Sequence, residues 1–200
     1  MAEEPYGDGD GALAVTVPPT SEPLTLGELK TALQVLHSAD DAEITAMGIA
    51  AREYVERYTG RQLMTATYTL TMCGFPCGGF DLPRPPLASV TSITYVDGDG
   101  ATQTVATSVY AVDTGHEPGR VNLKYQQQWP VARSQENAVT VTYVAGYASA
   151  ALVPATLKQA IKMLVRKQYD PEFVNANQRD AAWELALQSF LISEDVGTFY

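Results

Sequence analysis

Apolar residues between Leu24 and Tyr58 recur every three or four positions, the period of an amphipathic helix. Thr25-Leu26-Gly27-Glu28 fits a capping box, with the threonine hydroxyl reaching a free backbone N–H and the glutamate reaching back. This predicts a helix from Leu26 to Leu36 that buries Leu26, Leu29, Leu33 and Leu36. Asp40-Asp41-Ala42-Glu43 is a second helix start, with acidic groups at the positive end of the helix dipole. In the helix it opens, Ile44, Met47, Ala51, Tyr54, Val55 and Tyr58 share one face, while Arg52, Glu53, Glu56 and Arg57 lie off it. Gly60 suits a left-handed C-terminal cap.

After Gly60 the period drops to two: Ala66, Tyr68, Leu70 and Met72 alternate with threonines, as in a half-buried strand. Pro83, Pro85 and Pro86 make Asp81 to Leu87 an extended connector at a sheet edge. Val90 to Val96, the Asp97-Gly98-Asp99-Gly100 turn and Ala101 to Val105 then read as a hairpin. Val109 to Asp113, Arg120 to Tyr125 and Ala138 to Val144 are further strands, separated by Gly, Pro and Asn. Pro154 marks the return to helix, which buries Leu157, Ile161, Leu164, Val165 and Tyr169 and stops before Pro171. A fourth helix is predicted near Gln178 to Leu191, with Trp183, Leu187, Phe190 and Leu191 at helical spacing.

The fold class expected is therefore α+β: a four-helix portion, two helices at each end, with an inserted antiparallel β-sandwich or small barrel. The domains expected are a flexible acidic arm (1–23), a helical domain (24–61 with 152–191), an inserted β domain (62–151) and a C-terminal tail (192–200). The arm holds Glu3, Glu4, Asp8, Asp10 and Glu22 with no basic residue and one apolar patch, Leu13 to Val17.

Composition adds a globular chain of 200 residues with net charge -10, which argues against general affinity for a nucleic-acid backbone. No apolar run approaches a membrane span, and the acidic start is unlike a signal peptide. Cys73 and Cys77 are too few for a structural zinc site, and read as two free thiols in a reducing compartment, with a local disulfide as the other possibility.

No phosphate-binding loop, zinc-protease motif or nucleophile elbow is present. His37 and His116 have no local carboxylate and nucleophile around them, so no catalytic, metal or cofactor-binding residue is assigned. The Asp97 to Gly100 stretch lacks the remaining ligands of a calcium loop. Trp129 reads as core or edge packing. One charged feature stands out: Lys158, Lys162 and Arg166 recur every four residues on the third helix, beside Lys167. They form either a solvated face or a docking surface for an acidic protein or for passing DNA. In the tail, Val196, Phe199 and Tyr200 keep apolar groups beyond the helix-breaking Ser193-Glu194-Asp195 and Gly197, as a docking segment would.

Several short motifs recur in one order: Leu24, Leu26 and Lys30; His37, Asp40 and Asp41; Ala50-Ala51-Arg52, Glu56 and Thr59-Gly60. They continue with Leu82-Pro83-Arg84-Pro85-Pro86-Leu87, Ile93-Thr94-Tyr95-Val96-Asp97, Tyr110 with Val112-Asp113, Trp129-Pro130, Ala145-Gly146-Tyr147 and Val153-Pro154. In these, from Leu24 to Tyr169, the chain resembles the head-tail connector (adaptor) proteins of tailed double-stranded DNA bacteriophages and gene-transfer particles. The resemblance implies a non-enzymatic virion subunit without cofactors, made in the bacterial host cytoplasm and placed at the head-tail interface. Its implied partners are the portal protein, the tail or stopper protein, and further copies of itself in a dodecameric ring. DNA would pass through the lumen without specific binding, and no membrane is involved. A β-rich capsid decoration protein or carbohydrate-binding module is the alternative, which leaves the capped flanking helices unexplained.

Overall fold

The computed structural model describes residues 4–6, 11–170 and 179–196. Two compact units divide the chain, one built from the strands before Pro19 together with Thr65–Tyr147, the other from Thr20–Met64 together with residues from Ala148 on.

The first unit contains β1 (Glu4–Tyr6), β2 (Gly11–Val17), β3 (Ala66–Met72), β4 (Phe80–Leu82), β5 (Leu87–Val96), β6 (Thr102–Thr104), β7 (Tyr110–Asp113), β8 (Gly119–Leu123) and β9 (Val139–Ala145). They form a six-stranded sheet in the order β1-β2-β3-β9-β5-β6 and a three-stranded sheet in the order β4-β8-β7. The sheets are antiparallel and open, not closed into a barrel. One core joins them: Leu70, Ile93, Val141 and Tyr143 of the larger sheet cluster with Leu82 and Val121 of the smaller. Strands β3 and β9 bury every second residue, the alternation visible in the sequence. The hairpin forms as expected between β5 and β6, where the Asp97 carboxylate accepts from the N–H groups of Asp99 and Ala101, and Gly100 takes a φ of 85°.

Within the 1–23 segment, expected as a flexible arm, Gly11–Val17 is a strand. Gly11–Val17 pairs antiparallel with β3, and Leu13 and Val15 pack against the shared core. The acidic composition concealed a strand because the free edge of β3 supplies its hydrogen-bond partners. Further on, Pro23 and Leu24 are buried in the helical unit.

That second unit contains α1 (Leu26–Leu33), α2 (Asp41–Thr59), α3 (Ala155–Tyr169) and α4 (Arg179–Ile192), with α3 packed against the other three. The capping box at Thr25 and Glu28 is complete, and Gly60 adopts a left-handed C-cap at φ 67°. Helix α1 stops three residues short of the expected Leu36. Gln34 is left-handed at φ 62°, and the Val35 N–H returns to Lys30 O at 3.0 Å. The turn buries Val35 and leaves Leu36, expected in the core, 98% exposed.

Helix α2 is rotated from its expected face. Ile44, Gly48, Ala51, Arg52, Val55, Glu56 and Thr59 are buried, whereas Tyr54 and Tyr58 stack on each other at the surface. Gly48 permits this approach, since a Cβ there would lie 2.7 Å from Leu29 Cδ1. Asp40 does not cap α2 with its side chain but accepts a hydrogen bond from the Tyr169 hydroxyl at 2.7 Å. In α3, Leu157, Ala160, Ile161, Met163 and Val165 are buried, while Leu164 and Tyr169 are only half-buried. In α4, Leu187 and Leu191 are buried.

Candidate functional site

The basic stripe lies on one face of α3, and its three members are half-buried. They look toward α1. The Glu28 carboxyl is held below its ordinary 4.5 mainly by hydrogen bonds from the Thr25 N–H and hydroxyl, and the nearby charges of Lys162 and Lys158 add to the effect. Arg166 donates from Nη1 to Ala32 O at 3.1 Å, satisfying a carbonyl at the end of α1. Lys167 pairs with Glu184 of α4 at 2.7 Å. The stripe therefore serves the helical unit itself, contrary to a face that lies wholly away from packing, and its lysines also keep some exposure.

The second candidate is the segment after α4. After α4 ends, Glu194 O accepts from Arg61 Nε at 2.7 Å, and Glu194 Oε1 accepts from Thr156 Oγ1 at 3.0 Å. The Val196 N–H then donates to Thr59 O at 3.3 Å. Residues 193–196 are thus held at the C-terminal end of α2 by groups from two other elements. Val196 is half-buried there, and Phe199 and Tyr200 lie outside the described residues.

Sequence reasoning missed the strongest electrostatic feature. Arg52 donates from Nη1 to Glu56 Oε2 at 2.5 Å and from Nε to Glu22 Oε2 at 2.8 Å. Glu56 Oε1 accepts from Leu63 N–H and from Gln62 Nε2, each at 2.9 Å. Burial pushes the Glu56 carboxyl up, against the pull of Arg52 and the Leu63 N–H. Burial also works against the Arg52 charge, but Glu56 and Glu22 outweigh it and raise the group. Every oxygen of Glu56 meets an N–H donor, so the group is a structural clamp. It joins the 20–24 segment, α2 and the turn after it. The signal in the sequence was the i, i+4 spacing of Arg52 and Glu56, which is the same for a surface pair.

In the β unit, Trp129 stacks on Phe75 with centroids 4.7 Å apart, and its Nε1 donates to Gly78 O at 2.8 Å. The ring pins the 73–79 loop, the packing role expected of it. Cys73 and Cys77 are not joined in a disulfide. His37 is 3.9 Å from Asp40, and His116 is exposed in its loop. Among the described residues no three His, Cys, Asp or Glu side chains gather as metal ligands, and no helix is long and apolar enough to cross a membrane.

The model of the family described as "Head completion protein" matches residues 23–179. The fold is also similar to solved structures. A chain in "Neck of empty GTA particle computed with C6 symmetry" matches with a TM-score of 0.68 and 22% identity, over 79% of this chain and 83% of that one. A chain in "Virion of native gene transfer agent (GTA) particle" matches with 0.68 and 22%, over 79% and 84%. One in "Neck of native GTA particle computed with C12 symmetry" matches with 0.65 and 23%, over 79% and 82%. No curated protein matches significantly.

Proposed function

The chain belongs to the head completion protein family and is a structural subunit of the head-tail junction; from that premise we propose that it acts without catalysis, as a ring-forming adaptor between the portal and the tail or its stopper. The observation that carries this reading is the extent of the family match: residues 23–179 take in α1, α2, α3 and every strand from β3 to β9. The cyclic symmetry named for the similar neck particles supports many copies around an axis. The virion is then its place of action, after assembly in the host cytoplasm, with DNA passing through the ring without specific contacts.

Within this role Lys158 and Lys162 are the members of the stripe free to meet an acidic partner, because Arg166 is engaged with α1. Electrostatic steering by them weakens as salt rises. Val196 anchors the base of the tail, and Phe199 and Tyr200 are its docking aromatics, with the portal as receptor. Repetition around a ring makes even modest single contacts strong in sum.

The test is electron microscopy of the purified chain, alone and with its portal, together with complementation of particles that lack the protein. Rings on the portal and restored tailed particles are expected. Monomers that bind glycans and leave heads tailless would instead favour the carbohydrate-binding alternative.

A further inference from the structure

Among the described residues, the edges of the two sheets are short, broken or charged with one exception, and that one is covered. The smaller sheet ends in β4, three residues with Asp81 at the centre, and in β7, four residues that close on Asp113. At one side of the larger sheet stands β6, the three polar residues Thr102–Thr104. The part of β5 that β6 leaves open follows Pro85-Pro86 and shifts register between Leu87 and Ser89 and again between Val90 and Ser92. Strands of this kind are poor templates for another chain, because edge pairing needs length and an unbroken register.

Strand β3 is different. One side pairs with β9 over all seven residues, from Ala66 to Met72, and without β2 its other side would be an open edge. Its sequence, Ala-Thr-Tyr-Thr-Leu-Thr-Met, holds no charge, proline or glycine, and no charged residue stands between Arg61 and Asp81. An uncharged run rich in threonine, apolar and aromatic residues is the composition that stacks edge to edge between copies. In this chain Gly11–Val17 lies along β3 from Thr67 to Thr71, with Leu13 and Val15 on the core and the Thr16 and Thr69 hydroxyls 2.7 Å apart. The outer side of β2 is closed in turn. There β1 sets Glu4 and Pro5 beside Leu13 and Ala12, and the far end of β2 shifts register between Val15 and Val17 and runs into Pro18-Pro19. Charge, proline and a bulge each keep a strand from accepting another.

We propose that the β1–β2 hairpin is an edge guard: it occupies the strand-accepting side of β3 and keeps it from the β3 edge of a second copy. A second copy is the partner excluded because it always presents the same uncharged strand, and two such edges pair antiparallel about a twofold axis. The family match begins at residue 23, after the hairpin, so the guard lies outside the matched fold and does not depend on the adaptor role. The acidic composition of the first residues follows from the same cause, since the hairpin replaces an uncharged edge by a charged one.

Removal of residues 1–18 tests this. The shortened chain should form β-rich assemblies at concentrations where wild type forms none, read by thioflavin fluorescence and by the intermolecular β band in the infrared. Adding Thr69→Lys to the shortened chain should abolish them. Thr69 lies at the middle of β3 on the side away from the core, so a lysine there charges the edge and leaves the core as it was. If the shortened chain melts early, Leu13→Asp with Val15→Asp in the full chain lifts β2 instead, and the same pair of outcomes is expected with and without Thr69→Lys. A guardless chain that stays as dispersed as wild type overturns the proposal. So do assemblies that persist with Thr69→Lys, because association would then come from uncovered core and not from the edge.

Discussion

Arg52 and Glu56 lie one turn apart on α2, both buried, with Arg52 Nη1 donating to Glu56 Oε2 at 2.5 Å. Removing one partner weakens the hold on the other. Glu56→Ala takes the acceptor of the Leu63 N–H and one of the acceptors of both the guanidinium, which keeps Glu22, and the Gln62 amide, which keeps Met64 O, and a broken buried pair costs about 3–5 kcal/mol. Urea denaturation should show a loss in that range. The double variant Arg52→Met with Glu56→Leu should recover much of it, because paired charges can be exchanged for apolar groups of similar size. A loss below about 1 kcal/mol in Glu56→Ala would mean that the clamp is solvated.

The capping box makes a separate prediction about acid. Glu28 titrates below its ordinary 4.5 in the folded protein, so its contribution is complete above that value and is lost as pH falls through the folded one. Glu56 has the opposite sign: its raised folded value favours the folded state in acid, an advantage lost as pH rises through it. Comparing wild type with Glu28→Gln isolates the first effect. The wild type's advantage in melting temperature should be present at pH 6 and shrink below pH 4.5. An advantage that stays constant down to pH 3 would exclude an ionised Glu28 as its source.

The basic stripe should split into two classes of residue. Lys158→Gln with Lys162→Gln removes charges near Glu28 and should change stability by less than about 1 kcal/mol, while weakening attachment to the portal most at low salt. Arg166→Gln should itself cost about 1 kcal/mol, because the Ala32 carbonyl loses its donor. Calorimetry and a salt series of portal binding read the two effects. Equal behaviour of all three positions would contradict the division.

Cutting the chain at two points dissects the tail. Removal of 197–200 keeps the Glu194 and Val196 hydrogen bonds, so the melting temperature should hold while attachment to particles falls. Removal from Ser193 onward also deletes the partners of Arg61, Thr156 and Thr59, and should lower the melting temperature by several degrees. Normal tailed particles from the shorter deletion would show that Phe199 and Tyr200 carry no docking role.

Local signals determined much of this protein before any contact was known. The Thr25 and Glu28 capping box, the left-handed Gly60, the period-two alternation of β3 and the Asp97 to Gly100 turn each depend on neighbours a few residues apart, and each formed as read. The ordered motifs from Leu24 to Val153-Pro154 likewise carried the family. Tertiary structure alone decided which face of α2 is buried. Periodicity weighs side chains by apolarity, and it cannot know that Glu22 lies 30 residues before Arg52, or the Leu63 N–H seven after Glu56, as the partners that make burying those charges tolerable. It also made Gly11–Val17 a strand, because a strand is completed by the edge it pairs with, here β3 more than 50 residues away. At the end of α1, apolar spacing carried the stripe on to Leu36, but the left-handed turn at Gln34 buried Val35 and sent Leu36 outward. The candidate docking groups followed the same division: helical spacing put Lys158, Lys162 and Arg166 in a row, and only the approach of α1 made Arg166 a donor to its Ala32 carbonyl.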